Sequence, residues 1–134
     1  MKRFAAVLLA MTLAGQAAAQ STEESIRSVI SSQFSAFQQD DFDTAFTFAS
    51  PMIQGMFGTP ERFGDMVRNG YPMVWRPADV DFAALDRRGG RMYQNVLITD
   101  QAGQLHLLEY EMVRTEDGWE INGVYFKRPG GAGA

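Results

Sequence analysis

The chain has 134 residues, no cysteine and a formal net charge of −4 at pH 7. The missing cysteine excludes thiol catalysis, disulfide exchange and cysteine-ligated zinc. The acidic balance gives no electrostatic reason to seek nucleic acid or an anionic membrane.

The opening stretch, MKRFAAVLLAMTLAGQAAAQ, has the three parts of a secretory signal peptide. Lys2 and Arg3 form a charged start, Phe4 to Leu13 an apolar run, and Ala17-Ala18-Ala19 a small-residue cleavage site. A membrane-spanning helix needs about 20 apolar residues, more than this run supplies. An uncleaved anchor is the competing reading, and Gly15-Gln16 with the Ala-x-Ala end speaks against it. The expected organisation is a signal peptide over 1–19, one α+β domain over 20–128 and a frayed tail over 129–134. The expected location is the periplasm, with no stable membrane anchor after cleavage. Cleavage leaves 115 residues, enough for one core without staples. It also leaves 10 of the 12 basic residues against 16 acidic ones, a net −6.

Ser21 can cap the first helix, with Glu24 three residues on as in a capping box. Ile26, Val29, Ile30, Phe34 and Phe37 follow at helical spacing as one apolar stripe, and Ser28, Ser31, Ser32 and Gln38 point elsewhere. Asp40 or Asp41 then caps a shorter helix from Phe42 to Ala49, ended by Ser50-Pro51. The third helix lies in MFGTPERFGDMVRNGYP. Thr59 is its N-cap, Pro60 its first residue and Gly70 its stop, and Phe63, Met66 and Val67 are its buried stripe. YPMVWRP reads as an extended connection between prolines, either a rigid lip over a pocket or a protected edge strand.

Beyond Pro72 the period becomes strand-like. Strands are expected over Val80–Leu85, Arg91–Thr99, Gln104–Arg114 and Trp119–Lys127, joined by short polar or glycine-bearing turns. Short connections imply an antiparallel meander. The fold class is therefore α+β, three N-terminal helices packed on a curved antiparallel sheet of four to five strands.

This order of elements, closing in EDGWEINGVYF, resembles the nuclear-transport-factor-2-like, or cystatin-like, cone fold. The motifs AFxxxDFDTAF, MFGTPERFGDMVRNGYP and DGWEING resemble a domain-of-unknown-function family of exported proteins, mainly alphaproteobacterial, over essentially all of residues 21–128. The resemblance implies the cone fold. That fold hosts isomerases, dehydratases, epoxide hydrolases, transport factors and non-catalytic binders, so it does not choose an activity.

No phosphate loop, nucleophile elbow or HExxH motif is present, and His106 is the single histidine. Asp40-Asp41-x-Asp43 lacks the glycine and distal glutamate of a calcium loop and reads as a helix cap. Cone-fold enzymes often pair a desolvated carboxylate with Tyr or His. The inventory for that here is Asp79, Asp81, Glu109, Glu111, His106, Tyr71, Tyr93 and Tyr110. In such an enzyme, a lyase, isomerase or hydrolase, Asp81 or Glu109 would be the base and a Tyr or His106 the acid. Strand alternation puts His106 and Glu109 on opposite faces unless a bulge intervenes. Glu109 and Glu111 share a face with Leu105, Leu107 and Val113. Buried, each would need an Arg or several hydrogen bonds, with Arg91 and Arg76 as candidate partners. We read that face as open and both carboxylates as solvated. No catalytic residue, metal ligand or cofactor is assigned.

Six of the eight methionines lie beyond the leader. They form no dense cluster of the kind copper(I) requires. Met56, Phe57, Phe63, Met66, Tyr71, Met73 and Trp75 form the candidate ligand-binding set, core first and pocket wall second. The expected role is non-catalytic binding of a small apolar or amphipathic ligand, or of a protein partner. The other sheet face is free for a homodimer, as folds of this class often form.

Overall fold

The computed structural model describes the backbone of residues 5–127 and the side chains of residues 21–127. Lys2, Arg3 and the tail expected over 129–134 lie outside the described residues, as do the side chains of the expected signal peptide. Helix α1 spans Ala5–Gln38. It runs straight through Ser21, which therefore caps nothing, because alanines precede Ser21 and nothing there breaks the helix. Asp40 ends α1 with φ 55°, and the amides of Asp40 and Asp41 return to the carbonyls of Phe37 and Ala36 at 3.0 and 2.9 Å. That is a left-handed cap of the Schellman type, with aspartate where glycine is usual. Among the described residues no helix is long and apolar enough to cross a membrane.

Four short helices follow. Helix α2, Phe42–Thr47, starts where Asp41 accepts from the Thr44 amide at 3.2 Å. Helix α3, Pro51–Phe57, was not anticipated. Ser50-Pro51 is a stop for α2 and equally a start, since proline suits the first helical position and serine the cap before it. Helix α4, Pro60–Gly70, begins at the Thr59 cap, where Oγ1 accepts from the Arg62 amide at 3.2 Å. Gly70 closes it from inside, and Tyr71 is the cap residue. Helix α5, Pro72–Trp75, is a single turn in the segment expected to be extended. The helices thus number five, not three.

The strands are β1 Asp79–Arg88, β2 Arg91–Thr99, β3 Leu105–Thr115 and β4 Gly118–Lys127, paired antiparallel in chain order as one open sheet. Two irregularities matter. In β1 the pairing jumps from Phe82 to Leu85, and the freed carbonyls of Ala83 and Ala84 accept from the Gln94 amide at 3.0 and 3.4 Å. In β4 the register shifts opposite Glu111 and Met112, which face Gly123 and Ile121, so Asn122 is the extra residue.

The core lies between the helices and one face of the sheet. Ile26, Ile30, Phe34 and Phe37 of α1 are buried together with Val96, Ile98, Leu108, Tyr110, Met112 and Ile121. Phe34 meets the Tyr110 ring at 6.2 Å. Phe63 of α4 is the aromatic hub, with Phe37, Phe46 and Phe57 at centroid distances of 5.9, 5.3 and 5.8 Å. One side chain from each of α1, α2 and α3 thus meets it, at offset and edge geometries that favour ring pairs.

Gly64 shows how closely α2 and α4 approach. A Cβ built there would lie 2.7 Å from the Phe42 ring, whereas one at Gly55 in α3 meets nothing within 4 Å. Helix propensity alone favours alanine over glycine by about 1 kcal/mol at either site. Gly64→Ala is expected to lower the unfolding midpoint despite that gain, and Gly55→Ala to raise it. Thermal unfolding of both variants checks this, and a stabilised Gly64→Ala would mean that Phe42 yields freely.

Candidate functional site: an apolar cavity beside a buried carboxylate network

Between α3, α4 and the β3–β4 side of the sheet lies a cavity of about 290 Å³, at the lower end of the range for small-ligand sites. Met52, Ile53, Met56 and Phe57 of α3 form one wall, and Phe63, Met66 and Val67 of α4 another. Tyr110, Ile121 and Val124 supply the sheet side, with Gln33, Phe37, Tyr71 and Val74 at the margins. Met52 and Met56 are 54% and 66% exposed, so they stand at the mouth, while Tyr110 is wholly buried.

The polar groups in the lining are mostly committed. Tyr71 donates to the Val124 carbonyl at 3.2 Å, and the Gln33 amide to that of Ala45 at 3.2 Å. Asn122 accepts from Ser50 Oγ at 2.7 Å and donates to Glu111. Tyr125 donates to Glu111 Oε1 at 3.4 Å. The exception is the Tyr110 hydroxyl, which is buried and has no hydrogen-bond partner among the described residues. Leaving such a group unmatched costs on the order of 1–3 kcal/mol. Burial also pushes the Tyr110 phenol far above its ordinary range, so it carries its proton at any physiological pH.

Behind this wall, on the other face of the sheet, sit Glu109 and Glu111. That face is not open at these positions: the two side chains are 10% and 8% exposed. Arg88 donates to Glu109 at 2.7 Å, and Lys127 Nζ lies 3.3 Å from its other oxygen. Glu111 takes four donors: Arg91 at 3.0 Å, Tyr93 at 3.3 Å, Tyr125 and Asn122. Covering side chains make the difference. Tyr125 lies over Gly123, where a Cβ would come within 2.7 Å of its hydroxyl, and Arg88 lies 3.9 Å above the Tyr93 ring. Arg91 is the partner sequence suggested for this pair of carboxylates, but Arg76 is elsewhere, on Asp40 and the Phe37 carbonyl at 3.0 and 2.6 Å.

Of the seven residues in the candidate ligand-binding set, Met56, Phe57, Phe63, Met66 and Tyr71 meet at this cavity. Met73 and Trp75 do not. Met73 is buried in the core, and Trp75 turns outward to donate to Asp40 Oδ1 at 2.8 Å, both following from the helical turn of α5. Sequence reading passed over Met52 and Ile53 because α3 was missed, and over Tyr110 and Asn122 as cavity residues. His106 is drawn to Asp100 in the β2–β3 turn, Nε2 to Oδ2 2.8 Å, away from both glutamates. Asp79 and Asp81 are exposed on edge strand β1.

The chain belongs to a protein family described as a domain of unknown function (DUF4864), whose model matches residues 19–133. No curated protein and no solved structure matches it.

Two predictions follow from the charged groups. Arg91→Ala leaves the buried Glu111 carboxylate without its cation and should destabilise the fold by about 3 kcal/mol. Adding Glu111→Gln removes the stranded charge and keeps an acceptor, so the double variant should recover part of the loss in urea unfolding. A double variant as weak as the two losses summed contradicts a buried charge. The second concerns Asp100, whose carboxyl is held below its ordinary value by the His106 hydrogen bond and then by the Gln104 amide. A carboxyl with a lower value folded than unfolded stabilises fully above the ordinary aspartate range and loses that contribution as pH falls through its folded value. Asp100→Asn should therefore lower stability at neutral pH and flatten the acid limb of the stability curve, read by urea titrations from about pH 6 to about pH 2.

Proposed function

We propose that this is an exported, non-catalytic binding protein for a small, mainly apolar ligand, working in the periplasm with a cone-type arrangement of helices on sheet. The observation that carries the reading is the cavity and its mouth. Five large apolar side chains are exposed among the described residues. Met52, Met56 and Tyr125 line the cavity, and Phe126 stacks at 5.0 Å on Tyr71, which lines it too. Exposed apolar side chains gathered around a concave apolar site mark a binding surface rather than ordinary scatter. Methionine suits such a rim because its unbranched thioether adapts to varied shapes.

The non-catalytic reading rests on where the carboxylates lie. No Asp or Glu lines the cavity. Glu111, the acid nearest to it through Asn122 and Tyr125, accepts from four donors. A carboxylate has about four acceptor sites, so none is left to take a substrate proton. Export is supported by the leader-like composition of residues 1–19 and by the family match, which begins at residue 19 and so leaves that leader outside the domain.

The neutral dye N-phenyl-1-naphthylamine tests the cavity. Its fluorescence should rise on mixing with the wild-type protein. Met66→Trp, which fills the site from α4, should abolish the rise with the circular dichroism unchanged. An equal rise with the filled variant would place dye binding elsewhere and sink the assignment.

A further inference from the structure

We infer that the cavity selects an uncharged ligand carrying an acceptor oxygen at its buried end, with the Tyr110 hydroxyl as the group that reads it. This deepens the proposed binding function and rests on it. Two observations combine. First, no Asp, Glu, Lys, Arg or His lines the cavity. A charged ligand head buried there would find no counter-ion, and unpaired burial of a charge is far costlier than burial of a neutral polar group. Glu111 does not change this. Its lone pairs are taken, it is already matched by Arg91, and its own negative charge disfavours an anion further.

Second, the polar atoms of the lining are unequal. The amide and hydroxyl donors of Asn122, Tyr71 and Tyr125 are spent on Glu111 and the Val124 carbonyl. The Tyr110 hydroxyl is wholly buried and spends its proton on nothing among the described residues. A donor left over in an otherwise apolar site is matched by an acceptor on the occupant: a ketone, ester, ether or hydroxyl oxygen. The rest of such a ligand is hydrocarbon, to match the Met, Phe, Ile and Val walls. Discrimination by a site of this kind is asymmetric. A ligand lacking the oxygen leaves the hydroxyl unmatched, and that mismatch separates close analogues more sharply than shape does.

The test compares four probes of one size, each displacing N-phenyl-1-naphthylamine: butylbenzene, butyrophenone, 4-phenylbutanoate and 4-phenylbutylammonium. Hydration differs between the first two, so the quantity read is the ratio of their Kd values in wild type against Tyr110→Phe. Removing the hydroxyl is expected to shift that ratio against the ketone by about tenfold while butylbenzene binds as before or better. An unchanged ratio would show that the hydroxyl reads nothing and overturns its role. The two ions should fail to displace the dye at concentrations where the ketone saturates. Displacement by either ion at ketone-like concentrations overturns the neutral-ligand claim, and this arm uses wild type alone, so it stands even if the variant misfolds. Failure of the dye itself to bind would instead remove the binding function on which the inference rests.

Discussion

Asn122 accepts a hydrogen bond from Ser50 at the start of α3 and donates one to Glu111 on the far face of the sheet. It can do both because it is the unpaired residue of a β-bulge, where the strand's strict alternation of faces is suspended. Everything specific about this molecule hangs on that position. The Ser50 side chain also caps α3, accepting from the Ile53 amide at 3.4 Å, so one polar chain links the helical wall of the cavity to the carboxylate network behind the sheet. Without the bulge, Asn122 would point to one side only. The cap of α3 and one donor to Glu111 could not then share a side chain.

The cavity persists because of how its walls are anchored. Phe63 fixes α4 against three neighbouring rings and cannot collapse inward without breaking all of them. Helix α3 is anchored differently. It has no fully buried residue. It is tied by the Ser50 cap and by Gln54, whose amide donates to the carbonyls of Phe46 and Ala49 at 3.1 and 3.0 Å. One wall is thus set by packing and the other by hydrogen bonds at its base. Elements with few buried contacts open at lower free energy than the core. The methionine-bearing wall is accordingly the adaptable one.

Punctuation and periodicity made much of this fold readable from sequence. The α1 stripe, the Thr59-Pro60 start of α4 and the four strands needed only spacing and turn chemistry. What escaped did so for physical reasons. Ser50-Pro51 is both an end and a beginning, and no local rule ranks the two. YPMVWRP looked extended because two prolines bracket it, yet Pro72 at a first helical position permits one turn. Glu109 and Glu111 looked solvated because their cover comes from Arg88, Tyr93, Tyr125 and Lys127, residues on three different strands that only tertiary pairing assembles. Five of the seven residues singled out from the Met and aromatic density meet at one cavity. Met73 and Trp75 fall away because α5 rotates them, one into the core and the other onto Asp40. The unmatched Tyr110 hydroxyl was invisible, since strand alternation shows which face a side chain takes but not whether its polar tip finds a partner.

The segment at residues 48–50 has one more effect. The Ser50 amide donates to the Ile121 carbonyl at 2.8 Å, and the Ile121 amide to that of Phe48 at 2.9 Å, a short parallel bridge along the outer side of β4. A little further on, the Tyr71 hydroxyl takes the Val124 carbonyl. The opposite margin, β1, is interrupted by its bulge and studded with Asp79, Asp81, Asp86 and Arg87. An open sheet has two such margins, and unpaired ones recruit strands from other copies. Here one is partly stitched shut by the chain itself and the other is kinked and charged, so the sheet is built to stay four strands wide.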